Sequence, residues 1–476
     1  MTTKTRISSL ELSAAEMRQA VDLAMEEIVA HIESLPEQPA FDTEGGEELA
    51  RSLVEDPPEE GRPYPELLDL LFGKLIPKTF NAAGPGYLAY IPGGGLFQSA
   101  VADLIADSVN RYVGVWAAAP GLVQLETNVI RWFCRMVGYP EEALGILTSG
   151  GSLANFTAVV TARRQLLPDD FLQGTLYASD QIHHSVAKAA MLAGFPPGNL
   201  RLVASDDRRR IRIDLLAEQI AADRETGHTP FLIVGSAGTV NTGTVDDLSA
   251  LAELAQSEGL WLHLDGAYGG FFALTERGRR ALAGLEQADS ITLDPHKGLF
   301  LPYGTGCLLV RDRAALKRAH HIEADYMPRM QESSDLVDFC ELSPELSRDF
   351  RGLRVWLPLK MHGLGAFRAA LDEKLDLARW AAAELGKIDQ IQIVAEPELS
   401  IVAFRWNPPE LPDDEVDRLN RGLLERINAR RRVYLTATRL DGRFVIRICV
   451  LSFRTHRDRM EAALEDIRAA LVELQP

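Results

Sequence analysis

The run Asp289-Ser290-Ile291-Thr292-Leu293-Asp294-Pro295-His296-Lys297-Gly298 sets a carboxylate, an imidazole and an amine side by side where an apolar stretch ends. An amine held there out of water would lose its charge readily and attack a carbonyl carbon. On an open turn the same lysine would be an ordinary surface residue, and this segment alone does not choose. A second apolar run, Gly259 to Leu264, stops at Asp265 and continues Gly266, Ala267, Tyr268, Gly269, Gly270. A carboxylate in that place can keep a ring nitrogen protonated, while small neighbours let a flat ring approach the backbone. A helix cap or a metal-binding aspartate would use the same residues.

Two further segments carry polar chemistry. Thr148-Ser149-Gly150-Gly151-Ser152 precedes Phe156, Val159 and Val160 at helical spacing. Free N–H groups and the positive end of a helix suit a phosphate, although glycine-rich turns also open helices for structural reasons alone. The pattern matches neither the P-loop nor the dinucleotide fingerprint. Between Tyr177 and Lys188 lie His183 and His184, either of which can stack on an aromatic ring and exchange protons near neutral pH, or simply be solvated.

Elements that would position these residues follow from periodicity. Short apolar runs at Ala143 to Leu147, Thr175 to Ala178, Phe231 to Val234, Gly259 to Leu264 and Ser290 to Leu293 alternate with helical patterns. Such alternation predicts an α/β layer architecture with a largely parallel sheet, whose ligands bind outside the carboxyl ends of the strands. Ser13-Ala14-Ala15-Glu16 has capping-box spacing and opens an amphipathic N-terminal helix. A Pro-, Glu- and Gly-rich connector follows from Pro36 to Arg62. Beyond Pro358 a long helix (Arg368 to Leu385) leads into strands at Ile391 to Val394, Ser400 to Trp406 and Phe444 to Val450, with helices near Glu415 to Ala429 and from Arg457. That interleaving predicts a smaller C-terminal α+β domain. The expected division is residues 1–97 as an N-terminal segment packing on a partner subunit, 98–358 as the large domain and 359–476 as the small one.

Bulk properties narrow the partners. Fifty Lys and Arg against 68 Asp and Glu leave a formal charge of −18, so no nucleic-acid partner is expected. Arg208, Arg209, Arg210 and Arg212 follow Asp206 and Asp207 and read as a solvated turn. The four cysteines, at 134, 307, 340 and 449, have no metal-ligand spacing, which argues against a disulfide framework or a zinc site. No apolar run approaches the ~20 residues that a membrane span needs. The expectation is a soluble cytoplasmic protein with no membrane partner and no metal.

Taken in order, the four segments resemble the group II pyridoxal-phosphate decarboxylases, the fold type I family that includes aromatic-L-amino-acid, histidine and glutamate decarboxylases. The resemblance spans nearly the whole chain and extends to Pro120 to Glu126 with Trp132, Gly238 to Asp246, and Glu345 to Trp356. It implies a mostly parallel seven-stranded sheet flanked by helices, pyridoxal 5'-phosphate as cofactor, a homodimer, and decarboxylation of an L-amino acid. It makes Lys297 the Schiff-base lysine, Asp265 the partner of the pyridine nitrogen and His183 the stacked imidazole. Gly151, Ser152 and His296 would surround the phosphate, with Asp294 nearby, Ala267 under the ring and Thr239 close to the cofactor. His184 stands where many relatives have a small residue.

The stretch Gly86 to Pro92, with Tyr90 and Pro92, resembles the family segment lining the side-chain pocket, and Trp116 lies in a second one. An aromatic substrate is expected, unless these rings are ordinary core. Counting back from Arg348-Asp349-Phe350 sets Asp338-Phe339 where aromatic-amino-acid decarboxylases carry a proton-donating loop tyrosine. Related aldehyde synthases carry phenylalanine there, so aldehyde-forming oxidative deamination is the alternative; Tyr326 could supply the missing phenol. An acidic or basic amino acid as substrate, and a non-enzymatic cofactor-binding protein, complete the readings.

Overall fold

The computed structural model describes residues 10–322 and 336–474. Tyr326 lies outside the described residues. Seven strands, β1 (Leu144–Thr148), β2 (Gly174–Ser179), β3 (Leu200–Val203), β4 (Thr229–Ser236), β5 (Trp261–Gly266), β6 (Ser290–Leu293) and β7 (Gly306–Val310), form one sheet in the order β1-β7-β6-β5-β4-β2-β3. Only β7 runs against its neighbours; the pairs β2/β3, β2/β4, β4/β5 and β5/β6 are parallel. Strands β1, β2, β5, β6 and β7 are buried along their whole length, as expected for a sheet covered by helices on both faces.

The expected mostly parallel sheet is therefore present, with two strands that periodicity did not identify. The edge strand β3 is short and half exposed. Gly306-Cys307-Leu308-Leu309-Val310 is a continuous apolar run, which alternation cannot tell from a buried helical turn.

The C-terminal region forms a second, four-stranded sheet, β10-β11-β9-β8, from β8 (Ile391–Ala395), β9 (Ile401–Trp406), β10 (Thr436–Leu440) and β11 (Arg443–Cys449). It is antiparallel throughout. Helices Asp413–Ala429 and Arg457–Leu474 and the last turns of Arg351–Leu385 cover it.

Helix Arg351–Leu385 begins well before the expected Arg368 and contains Pro358. A proline there deprives the carbonyl of Arg354 of its N–H donor. The hydroxyl of Ser99, fully buried, donates to that oxygen at 2.8 Å instead. The helix kinks at Gly363, whose φ of 71° favours glycine.

Helix Ala14–Ser34 opens with the expected capping box, Ser13 Oγ accepting from the Glu16 amide and the Glu16 carboxylate accepting from the Ser13 amide. It buries no residue within the chain and leaves Met17, Val21 and Val29 exposed. No helix of the described residues is long and apolar enough to cross a membrane.

Candidate active site

Parallel strands deliver their carboxyl ends to one edge of the sheet, and a cavity of about 310 Å³ opens there. It lies at the small end of the ~300–1,000 Å³ usual for small-molecule sites. Its wall includes Gly150, Gly151 and Ser152 after β1, His183 after β2, Ser236 at the end of β4, Asp265 and Ala267 at and after β5, and Asp294, His296 and Lys297 after β6. Five segments separated in sequence thus meet around one space.

Lys297 sits in the single helical turn Pro295–Gly298, and its Nζ lies 2.8 Å from Asp294 Oδ2. Burial works against the charge on Lys297, but the carboxylates of Asp294 and Asp265 outweigh it and hold the amine above its ordinary value. Asp294 is 2% exposed. Its other oxygen, Oδ1, has no hydrogen-bond partner. A buried carboxylate oxygen left in this way is costly unless a ligand supplies the missing donor. His296 donates from Nδ1 to the carbonyl of Thr305 at 2.7 Å. Burial holds its imidazole below the usual value, with Asp294 opposing.

Asp265 accepts from the amide of Ala267 at Oδ1 (3.1 Å) and from Asn155 Nδ2 at Oδ2 (2.9 Å). His183 is the N-cap of helix His184–Leu192, and its Nδ1 meets the Ser185 hydroxyl at 2.7 Å and the Ser185 amide at 3.3 Å. Burial lowers its affinity for a proton, and Asp265 partly restores it. The ring of His184 lies 4.1 Å from that of His183 but does not border the cavity.

Gly150 and Gly151 begin the sixteen-residue helix Gly151–Leu166. A Cβ on Gly151 would stand 3.0 Å from Asp294 Oδ2 and 3.2 Å from the Ala267 side chain, filling the cradle. Gly306 allows β7 to press on the same turn, since a Cβ there would fall 2.5 Å from the Gly150 Cα.

Not every expected residue borders the cavity. Thr239 is buried between Gly238 and Val240, which do line it, and its hydroxyl bonds to Thr242 at 2.9 Å. In the Gly86 to Pro92 segment it is Ile91 that reaches the wall, while Tyr90 is 52% exposed and Pro92 is buried outside it. Trp116 packs at the edge of the main core, its amide donating to Asp338 Oδ1 at 2.6 Å. Phe339 is 0% exposed and lies under the Arg348 guanidinium, 4.9 Å from its ring centroid. Arg348 is itself paired with the buried Glu126 at 2.6 Å. The Phe339 ring is thus a core element and does not border the cavity. Asn155, Ser185, Ser236 and Tyr268 do border it without having been singled out. Asn155 had a readable signal, since it follows Gly151 by one helical turn and so shares its face.

These groups fit pyridoxal phosphate. A glycine-lined helix N-terminus suits the phosphate, a carboxylate the pyridine nitrogen, an alanine and an imidazole the ring faces, and an amine the aldehyde. The space that a Cβ on Gly151 would fill leaves room for the phosphate.

Comparison with known proteins agrees. The chain is 37% identical over 468 residues to an aromatic-L-amino-acid decarboxylase of Bacillus atrophaeus, covering 98% of both chains. The crystal structure of an Oryza sativa TDC with PLP and tryptamine superimposes with a TM-score of 0.93 at 25% identity, covering 98% of this chain and 100% of that one. The fold is also that of a Rhodiola rosea 4-hydroxyphenylacetaldehyde synthase (TM-score 0.89, 23% identity, 97% of this chain and 99% of that one). Since the model of the pyridoxal-dependent decarboxylase conserved domain matches residues 48–407, the chain belongs to that family and is a pyridoxal-phosphate-dependent amino-acid decarboxylase.

Proposed function

We propose that the chain converts an aromatic L-amino acid to its amine and carbon dioxide. The observation that carries this reading is the meeting of Lys297, Asp265 and His183 on one cavity whose wall contains no other lysine and no arginine among the described residues. An acidic side chain would find no cation there besides the Lys297 amine, whereas Ile91 and Val240 offer apolar surface. The Bacillus atrophaeus relative, matched end to end, supports the same choice.

When bound, the cofactor supplies a conjugated sink for the electron pair left as the carboxylate departs. Lys297 is the amine that would hold its carbonyl carbon, with Gly151, Ser152 and His296 at its phosphate and Asp294 beside them. Asp265, its oxygens fixed by Asn155 and Ala267, would keep a proton on the ring nitrogen. His183 and Ala267 would flank the ring and exclude water from its faces. Thr239, one bond from two wall residues, keeps the Gly238 to Val240 turn in place. Tyr90 and Pro92, adjoining Ile91, and Trp116 remain the residues proposed to shape the side-chain subsite.

With Phe339 locked in the core, a phenylalanine at the proton-donor position loses its footing, and aldehyde formation loses its motivating residue. Tyr326 is the phenol to test as donor of the proton that replaces the carboxylate. The exposed apolar face of helix Ala14–Ser34 supports a homodimer in which residues 1–97 pack on the partner, ahead of a large domain (98–358) and a small one (359–476). Light scattering at micromolar concentration checks this; a monomer would contradict it.

The deciding experiment offers the holoenzyme L-DOPA, L-tryptophan, L-glutamate and L-histidine while carbon dioxide, amine, aldehyde and peroxide are measured. Amine without peroxide from the aromatic substrates is expected. Aldehyde with peroxide, or a preference for glutamate, would overturn the proposal.

A further inference from the structure

In the cavity wall a single amide makes four hydrogen bonds. Asn155 is 1% exposed. Its Nδ2 lies 2.9 Å from Asp265 Oδ2 and 2.9 Å from Ser185 Oγ, while its Oδ1 lies 2.6 Å from Thr292 Oγ1 and 3.0 Å from His263 Nε2. An asparagine amide has two donor and two acceptor positions, so nothing is left over.

The direction of every bond in this network follows from its ends. A carboxylate accepts only, so the Asn155 NH2 must face Asp265, and Oδ1 must face Thr292 and His263. His263 therefore donates from Nε2. Its Nδ1, 2.8 Å from Ser290 Oγ, accepts, because burial holds the ring neutral with its pKa down at about 4. Ser290 can donate there because its oxygen already accepts from the Trp261 indole N–H at 2.8 Å. On the other branch Ser185 Oγ accepts from Asn155 and so gives its own proton to His183 Nδ1 at 2.7 Å. The Ser185 amide donates to the same nitrogen at 3.3 Å. His183 is left as a neutral ring with its proton on Nε2.

We propose that Asn155 is a positioning residue that couples Asp265 to His183, orienting the carboxylate through one amide N–H and setting the imidazole tautomer, through Ser185, with the other. The inference rests on the reading that Asp265 and His183 lie against the cofactor ring, and it adds that the two are set by one side chain. Replacing that amide disturbs both together, whereas removing the Ser185 hydroxyl disturbs His183 alone.

Protein labelled with 15N-histidine and free of cofactor tests the tautomer by NMR. The wild type should show His183 Nδ1 as an unprotonated acceptor and Nε2 protonated. In Asn155→Leu the ratio of the two tautomers should fall about tenfold, the scale of one lost hydrogen bond, and the pH response of the holoenzyme's visible absorption should move by about one unit. Ser185→Ala should reproduce the change at His183 and leave that pH response where it was. An unchanged His183 tautomer in folded Asn155→Leu would overturn the coupling. If that variant does not fold, Ser185→Ala decides: unchanged His183 signals there defeat the proposal. Failure of the underlying reading has its own signature, a wild-type protein that borohydride does not fix to pyridoxal phosphate at Lys297, and the cofactor-free NMR measurement is independent of it.

Discussion

Both sheets bury charged side chains, and they treat them differently. In the four-stranded sheet Arg405 reaches Asp417 at 3.4 Å and Asp413 at 3.8 Å, and Arg447 donates to the carbonyls of Tyr90, Val240 and Asn241 and to Thr436 Oγ1. These groups are enclosed by protein and border no part of the cavity, although Arg405 Nε and Nη1 make no hydrogen bond. In the seven-stranded sheet Asp294, which also keeps an unpartnered oxygen, borders open space together with Lys297 and His183. The difference lies in strand direction. Parallel strands bring all their carboxyl ends, and the polar turns after them, to one edge; antiparallel strands send alternate ends to opposite edges and gather none. A buried charge in the small sheet therefore serves packing, and one at the large sheet's edge is available to a ligand.

Several substitutions would break that contrast if it were wrong. Lys297→Ala should remove borohydride-fixed cofactor and lower turnover by about 1,000-fold or more, the scale for deleting a covalent catalytic group, with little change in melting temperature. Arg405→Met should do the reverse. It takes one partner from Asp417, which keeps the Arg439 guanidinium at 3.3 Å and the Phe444 amide at 2.8 Å, and should cost about 2–3 kcal/mol of stability in denaturant titration, the scale of a hydrogen bond to a charged group, while kcat per folded molecule stays constant. A drop in kcat beyond the folded fraction would dissolve the distinction between the sheets.

A smaller effect is expected from Phe339→Tyr. The added hydroxyl must find room in a fully buried site and should cost about 1–3 kcal/mol, and the ratio of amine to aldehyde should not move. A rise in amine turnover per folded molecule would return Phe339 to the catalytic place that its burial denies it.

The mildest test is pH. Burial holds His263 and His320 at about 4 against an ordinary 6.5. The unfolded chain therefore takes up protons first, and the stability these rings leave intact above pH 6.5 is lost as pH falls toward 4. Asp246, pushed up to about 6 by burial, binds its proton first in the folded state and opposes this between about 4 and 6. Two groups outweigh one, so the melting temperature should fall by at least about 2 °C between pH 7 and 5. A rise would show that buried carboxylates dominate.

Much of the large sheet was legible because its strands are short apolar runs ending in polar turns, and Lys297, Asp265, His183 and Gly151 sit on those turns. Strand β7, apolar throughout, and β3, only four residues long, gave no alternation to read. Pro358 hid the first half of a helix, since nothing local announces that Ser99, far away in the chain, will satisfy the carbonyl that the proline strands. Counting along the chain set Phe339 at a catalytic position, but distance in sequence carries no information about which face of a segment is buried.

Residue order alone determined which chemical groups stand at strand ends, because hydrophobic periodicity and turn chemistry are local. Only the folded chain decided which of them share a cavity. Asn155 illustrates the limit: its four partners come from three different segments, two of them from β5, and a side chain's hydrogen bonds are set by what packing brings within about 3 Å, which no local pattern encodes.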